Sequence, residues 1–340
     1  AVIPTRGDDP SPGRASAGSA SVVVVVPDDD GDGPAATRNR GWRPTTTPIV
    51  AFLDADIEAP PGWLDKLLAH FDNPLVGAVA PRVRSTGGVF SSYEAARSPL
   101  DLGPVPAPVR PGSRVPYVPA AALLVRRQAL EHVGGFDEAL RVGEDVDLVW
   151  RLHAAGWRVR YDPSVEVRHP SRPTAAGWLR QRFRYGTSAA ALAERHGAAV
   201  APLRISGWSA AAWALVVVGR PVVGVGVGAA TTAALTPKLG ALDHPVAEAV
   251  RIAGTGNLYA GRAVADALRR PWWPLAALLA WRVPRSRPAL LAAALVPPLR
   301  LADDVAYGAG VWAGCIRHRS FRALLPSFSG PFPPPEPVQH

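Results

Sequence analysis

Apolar positions along the first two hundred residues fall into two rhythms. Short strand-like runs stand at Ala1-Val2-Ile3-Pro4, Val22 to Val26, Ile49 to Leu53, Val76 to Val79, Ala121 to Val125 and Trp157 to Tyr161. Between them lie helix-like stretches. Trp63 to Phe71 places Trp63, Leu64, Leu67, Leu68 and Phe71 at a helical period. Gln128 to Val133 reads as a short helix ended by Gly134-Gly135, and Asp145 to Ala155 as a longer one stopped at Gly156. This alternation predicts an α/β domain over residues 1–200 with a mostly parallel central sheet.

Val22 to Val26 reads as a strand buried on both faces, its end delivering Asp28, Asp29 and Asp30 to a crevice. The small, polar Ser11 to Ala20 is barely long enough for a crossover between parallel strands. Ser98 to Pro119, rich in proline and without periodicity, reads as a loop across the domain surface.

The pattern changes after residue 200. Ile205 to Gly219 and Pro221 to Pro237 are uncharged runs separated only by Arg220, and shorter apolar runs follow at Pro271 to Trp281, Pro288 to Leu299 and Val305 to Ile316. None reaches the roughly 20 residues of a membrane span. The first pair fits a membrane-associated hairpin, with Trp272 and Trp273 at an interface, as well as it fits packed helices. The shorter runs read as packed helices. Residues 201–325 are therefore expected to be an apolar helical region, and 326–340 a Pro-rich tail, without packed structure over Pro331 to His340.

Composition narrows the classes. With 48% hydrophobic and 19% charged residues, the chain is not of the disordered kind. A single cysteine, Cys315, excludes a disulfide framework and any all-cysteine metal cluster. The formal charge of +9 comes from arginines spread along the chain, and no nucleic-acid module accompanies them. Such a surface favours anionic lipid or an anionic substrate. The chain contains no methionine and opens directly into a strand, so the expectation is either missing upstream sequence or a wrongly assigned start; no secretory signal is visible.

The chemistry concentrates in four places. Asp54-Ala55-Asp56 follows a strand, where a tight turn can bring both carboxylates toward one hard cation, although such triplets also cap turns. Glu144-Asp145-Val146-Asp147 follows Gly143 and opens a helix, so Asp145 is either a helix cap or a general base facing the same crevice. His169 ends a short strand before Pro170 and is either structural or a further metal ligand. Gln181, Arg184 and Tyr185 share one helix face, either as a solvated surface or as groups aimed at phosphate and sugar.

These stretches resemble, in order, the family 2 glycosyltransferases. The resemblance rests on Val2-Ile3-Pro4-Thr5, Asp29-Asp30-Gly31, the run from Gly33 to Gly41 and Asp54-Ala55-Asp56. It continues with Gly134-Gly135-Phe136-Asp137-Glu138, Glu144-Asp145 and Gln181 to Tyr185. It implies a GT-A fold and an inverting, metal-dependent sugar transfer. Asp29 or Asp30 would bind the uracil or ribose, and Arg38 would lie near the nucleotide. Asp54 would contact ribose or metal, and Asp56 and His169 would hold Mg²⁺ or Mn²⁺. Asp145 would be the base. Gln181 and Arg184 would hold the diphosphate or the acceptor, with Tyr185 where the family often has Trp. The family usually has a helix, a strand and a second helix where this chain has only Ser11 to Ala20 and Asp28 to Gly33, so its nucleotide half reads as abridged.

A narrower resemblance involves Ser98 to Gly103, Arg114 to Ala121, Phe183 to Ser188 and Leu301 to Trp312. These stretches resemble the family 2 transferases of mycofactocin maturation in actinobacteria. That implies UDP-glucose as donor and premycofactocin, a peptide-derived small molecule, as acceptor, with a β-1,4-glucose chain as product. The implied location is cytoplasmic, at the inner face of the cell membrane if the apolar region binds lipid. Two alternatives stay open: a membrane-bound transferase acting on a lipid-linked or cell-wall acceptor, and a non-catalytic relative.

Overall fold

The computed structural model describes residues 1–5, 9–28 and 31–329. The chain divides into two units, Ala1–Gln181 and Arg182–His340, with the division inside one long helix.

In chain order the first unit contains β1 (Val2–Thr5), α1 (Ser11–Ser16), β2 (Val24–Pro27), α2 (Pro34–Trp42), β3 (Ile49–Leu53), α3 (Trp63–Leu68) and β4 (Val76–Thr86). It continues with α4 (Ser91–Arg97), β5 (Ala107–Pro108), β6 (Ala122–Arg126), α5 (Arg127–Val133), α6 (Glu144–Ala154), β7 (Arg158–Pro170) and α7 (Ala175–His196), which carries the chain into the second unit. The strands form one sheet in the order β2-β1-β3-β6-β4-β7-β5. Five run the same way; β6 and the short β5 oppose their neighbours, so the sheet is mixed. Its core is the apolar runs themselves: Ile3, Leu53, Leu67, Val79, Leu124 and Val167 are fully buried together. Burying each such side chain contributes roughly 1.5–3 kcal/mol.

Three sequence expectations change. Val22 and Val23 are exposed, and β2 begins only at Val24 at the edge of the sheet, so it is not buried on both faces. An edge strand has a neighbour on one side only, and the run of valines was no guide to that. The segment Ser98–Pro119 is not confined to the surface: β5 pairs with β7, and Val109, Val115 and Val118 are buried. Ser11 to Ala20 does make the crossover, because a six-residue helix suffices for β1 and β2 to pair in parallel from Val2↔Val24 to Thr5↔Pro27.

That short helix also fixes the loop after β3. Gly13 N donates to Ala55 O at 2.9 Å, and a Cβ at Gly13 would lie 3.0 Å from Asp54 O, so a side chain there would crowd the loop. Ser16 Oγ donates to Ile57 O at 2.8 Å and accepts from Ala59 N at 2.9 Å.

The second unit contains β8 (Arg204–Ser206), α8 (Gly207–Val217), α9 (Pro221–Leu235), α10 (Pro245–Arg269), α11 (Trp273–Arg282), α12 (Arg287–Ala294), α13 (Pro298–His318) and β9 (Ser327–Ser329). Most of each apolar run is helical, although Ile205 lies in β8 and Pro288–Leu299 breaks between α12 and α13, and α10 adds a 25-residue helix that mixes charged with apolar positions. Ser327–Ser329, inside the expected tail, pairs in parallel with β8, while Pro331–His340 lies outside the described residues. Pro221–Leu239 is the one helical stretch among the described residues long and apolar enough to cross a membrane, with a mean hydropathy of 1.3 and 6% of it buried.

Candidate active site

The carboxylates gather at one end of the sheet. β3 ends at Leu53, opposite Ala122 at the start of the antiparallel β6, and Asp54 N donates to Ala121 O at 2.9 Å. Ile57 N then donates to Asp54 O at 3.2 Å, closing a turn that sends the two carboxylates to different partners. Asp54 Oδ1 accepts from Arg38 Nη2 at 2.9 Å. Asp56 Oδ1 lies 3.5 Å from His169 Nε2. The chain reaches that contact because Glu58 and Arg168 exchange backbone hydrogen bonds at 2.9 and 2.7 Å, laying the end of β7 along the turn.

His169 is buried, and its Nδ1 donates to Pro170 O at 3.0 Å. That bond engages Nδ1 and leaves Nε2 facing the Asp56 carboxylate. Burial raises the Asp56 pKa; His169 opposes that shift, and the charge of Asp54 adds to it. An imidazole nitrogen and a carboxylate oxygen at this separation suit a divalent cation between them, so the residues present fit Mg²⁺ or Mn²⁺. Among the described residues no three His, Cys, Asp or Glu side chains gather around one point, so a cation here would take other ligands from substrate or water.

Glu144 and Asp145 approach from the side of α6. The cap position is Gly143, in the left-handed conformation at φ 84°, and not Asp145 as the sequence suggested. Glycine makes that conformation cheap, so the helix begins at Glu144 and both carboxylates stand in its first turn. Asp145 is half-buried; its Oδ1 accepts from Val146 N at 2.8 Å and its Oδ2 from Ala120 N at 3.3 Å, next to the residue that anchors Asp54. Asp147 is buried and bonded to Arg151 at 2.7 Å.

Arg38 ties the two acidic stretches together. Its Nη1 donates to Glu144 Oε1 at 2.7 Å while Nη2 holds Asp54. Only 5% of Arg38 is exposed, and its guanidinium lies 5.6 Å from the centre of the Phe136 ring. Burial by itself would lower the Arg38 pKa, but Asp54, Glu144 and Asp145 more than offset it. Burial raises both Glu144 and Asp145, the Asp145 charge adding to the shift of Glu144 and Arg38 opposing both. Beside it Asn39 donates to Phe136 O at 2.8 Å and Glu138 Oε1 at 2.7 Å and accepts from Phe136 N at 3.0 Å. Adjacent residues of α2 thus hold both the Gly134–Glu138 motif and the Glu144 turn.

The structure brings Arg38, Asp54, Asp56, Asp145 and His169 together at this end of the sheet. Asp29 and Asp30 lie outside the described residues; Asp28, before them, accepts from Gly33 N at 3.0 Å. Gln181, half-buried, and Arg184, exposed, are on α7 as expected, on either side of the division between the units. Sequence reading gave no role to Glu144 or Asn39. The available signal was Arg38 itself, a cation in a helix otherwise rich in buried Ala and Trp, which demands carboxylate partners.

Residues 49–282 match the family described as glycosyl transferase family group 2. A protein of Mycobacterium tuberculosis named pre-mycofactocin glycosyltransferase is 41% identical over 328 residues, covering 86% of this chain and 69% of that one. The chain belongs to the family 2 glycosyltransferases. Its fold is of the GT-A type and its activity is glycosyl transfer. An N-acetylglucosaminyl-diphospho-decaprenol L-rhamnosyltransferase from the same organism is 36% identical over 143 residues, 35% of this chain and 46% of that one. A mannosyltransferase from Pyrobaculum calidifontis, solved with GDP-Man and Mn²⁺, aligns over 94% of this chain and 86% of its own at a TM-score of 0.47 and 18% identity. That likeness is too slight to add to the assignment.

Proposed function

We propose that this glycosyltransferase moves glucose from UDP-glucose to premycofactocin, with inversion at the anomeric carbon, and so builds a β-1,4-linked glucose chain. The observation that carries this reading is the 41% identity to the pre-mycofactocin glycosyltransferase, which covers 86% of the chain and so involves both units.

The residues divide the work as follows. Asp145 accepts the proton of the acceptor hydroxyl as its oxygen attacks the anomeric carbon; the bond to the diphosphate breaks and its electron pair leaves on UDP. The raised pKa of Asp145 makes it a stronger base than an exposed aspartate, and two backbone donors fix its orientation. Mg²⁺ or Mn²⁺ held by Asp56 and His169 would neutralise the charge that builds on the leaving diphosphate. Asp29 or Asp30 meets the uracil or ribose, Asp54 the ribose or the metal, and Gln181 and Arg184 the diphosphate or acceptor. Arg38 acts through the two carboxylates it holds. The enzyme works in the cytoplasm, with the exposed apolar Pro221–Leu239 stretch at the inner face of the membrane.

Mass spectrometry of premycofactocin after incubation with UDP-glucose tests the reading, with and without Mn²⁺. Growth in steps of one anhydroglucose unit, dependent on the metal, is the expected outcome. A second reading, transfer to a lipid-linked acceptor, is favoured by the exposed apolar helix and the decaprenol-linked relative. Glycosylation of a polyprenyl-linked acceptor in place of premycofactocin would select it.

A further inference from the structure

We infer that the turn joining α8 to α9 and the turn joining α11 to α12 form one docking surface for an anionic lipid bilayer. Arg220, Arg282, Arg285 and Arg287 meet the phosphate headgroups there, and Trp281 sits at the boundary with the acyl chains. The inference rests on the placement of Pro221–Leu239 at the membrane and names the groups that hold it there.

The two turns are one place in the second unit. Gly219, after α8, has φ 85°, and a Cβ on it would lie 2.5 Å from Arg285 O, so the turns pack backbone to backbone. Arg220, Arg282, Arg285 and Arg287 are all exposed. Among the described residues none of the four has a carboxylate partner. Arg282 lies 4.5 Å from the centre of the Trp281 ring, and Arg287 Nε donates to Ala280 O at 3.0 Å. The sequence explains this. No Asp or Glu stands between Glu194 and Asp243, or between Asp266 and Asp303. Asp266 is already engaged by Arg269 and, at 2.8 Å, by Arg300.

Unpaired arginines on an ordinary solvated turn have polar neighbours. These have apolar ones. Trp281 is 67% exposed and Val222 84%; Val223 and Val225 on α9, and Leu291 and Leu295 on α12, are exposed as well. Apolar side chains left in water forgo the gain of burial, so this surface asks for a cover. Arginine without any carboxylate asks that the cover be negative. A bilayer containing anionic lipid meets both demands, with phosphate above and hydrocarbon beneath. Arginine stems can lie along apolar surface while their guanidinium groups stay at the phosphates, and an indole favours the boundary between the two layers. The negative potential of a cytoplasmic leaflet draws such a cluster to it.

Co-sedimentation of the full chain with lipid vesicles tests this, using phosphatidylcholine alone and equal parts of phosphatidylcholine and phosphatidylglycerol. Binding should favour the anionic vesicles and weaken as salt is added. Each arginine at an anionic surface contributes about fivefold in affinity, so Arg282→Gln combined with Arg285→Gln should bind those vesicles roughly twenty-five-fold more weakly, with Tm unchanged. Trp281→Ala should weaken binding to both kinds of vesicle. Arg251→Gln, on α10 and paired with Glu248 at 2.6 Å, should bind as the wild type does. If neutral and anionic vesicles are bound alike and the double variant matches the wild type, the inference falls while the membrane placement of Pro221–Leu239 stands. Binding to neither vesicle would remove both. A dimer in lipid-free solution that the double variant dissociates would give this surface to a second copy of the chain and overturn the inference too.

Discussion

Arg38 holds Glu144 at 2.7 Å across 106 positions of sequence, and the same guanidinium holds Asp54 at 2.9 Å. One buried cation thus sets the spacing between the loop after β3 and the first turn of α6. Removing it should leave Glu144 buried without a counter-charge. Arg38→Ala is expected to cost about 3–5 kcal/mol of stability, read as a lower midpoint in denaturant unfolding. Arg38→Lys keeps the charge but cannot reach both carboxylates in a fork, and should recover only part of the loss.

The role given to Asp145 separates chemistry from binding. Asp145→Asn should lower kcat by about 10²–10⁴-fold, the usual contribution of a general base, while UDP binding stays close to wild type. Turnover unchanged by the substitution would remove Asp145 from the reaction.

Acidity should reveal the same group. The base works deprotonated, and its folded pKa is raised, chiefly by burial. Protonation therefore sets in at a higher pH than for an exposed aspartate, and kcat/KM should fall on the acidic side above roughly pH 4, the ordinary aspartate range. A profile level down to that value would contradict the burial argument.

Metal dependence should follow Asp56 and His169. Chelation is expected to abolish turnover, and added Mn²⁺ to restore it. His169→Ala should weaken Mn²⁺ binding by about 10–100-fold, measured by calorimetry in the presence of UDP.

Much of this arrangement could be read along the chain because its signals are local. The strand at Ile49–Leu53, the Asp54 turn and the helix stop at Gly134-Gly135 are each written in a few adjacent residues. What could not be read depends on the third dimension. Whether a valine run lies at the edge or the centre of a sheet depends on its neighbours, which is why β2 lies at the edge where the run alone predicts burial on both faces. The Arg38–Glu144 pair joins distant residues, and no spacing announces it. α10 mixes charged and apolar positions, so a search for uncharged runs passes over it even though its burial is periodic.

The convergence of Asp56, His169 and Asp145 on one substrate is tested most directly by an anomalous difference map from crystals grown with UDP and Mn²⁺. The account expects a single manganese peak between the Asp56 carboxylate and His169 Nε2, touching the diphosphate, with Asp145 across the crevice from it. A peak elsewhere, or UDP bound with neither side chain at the metal, would contradict it.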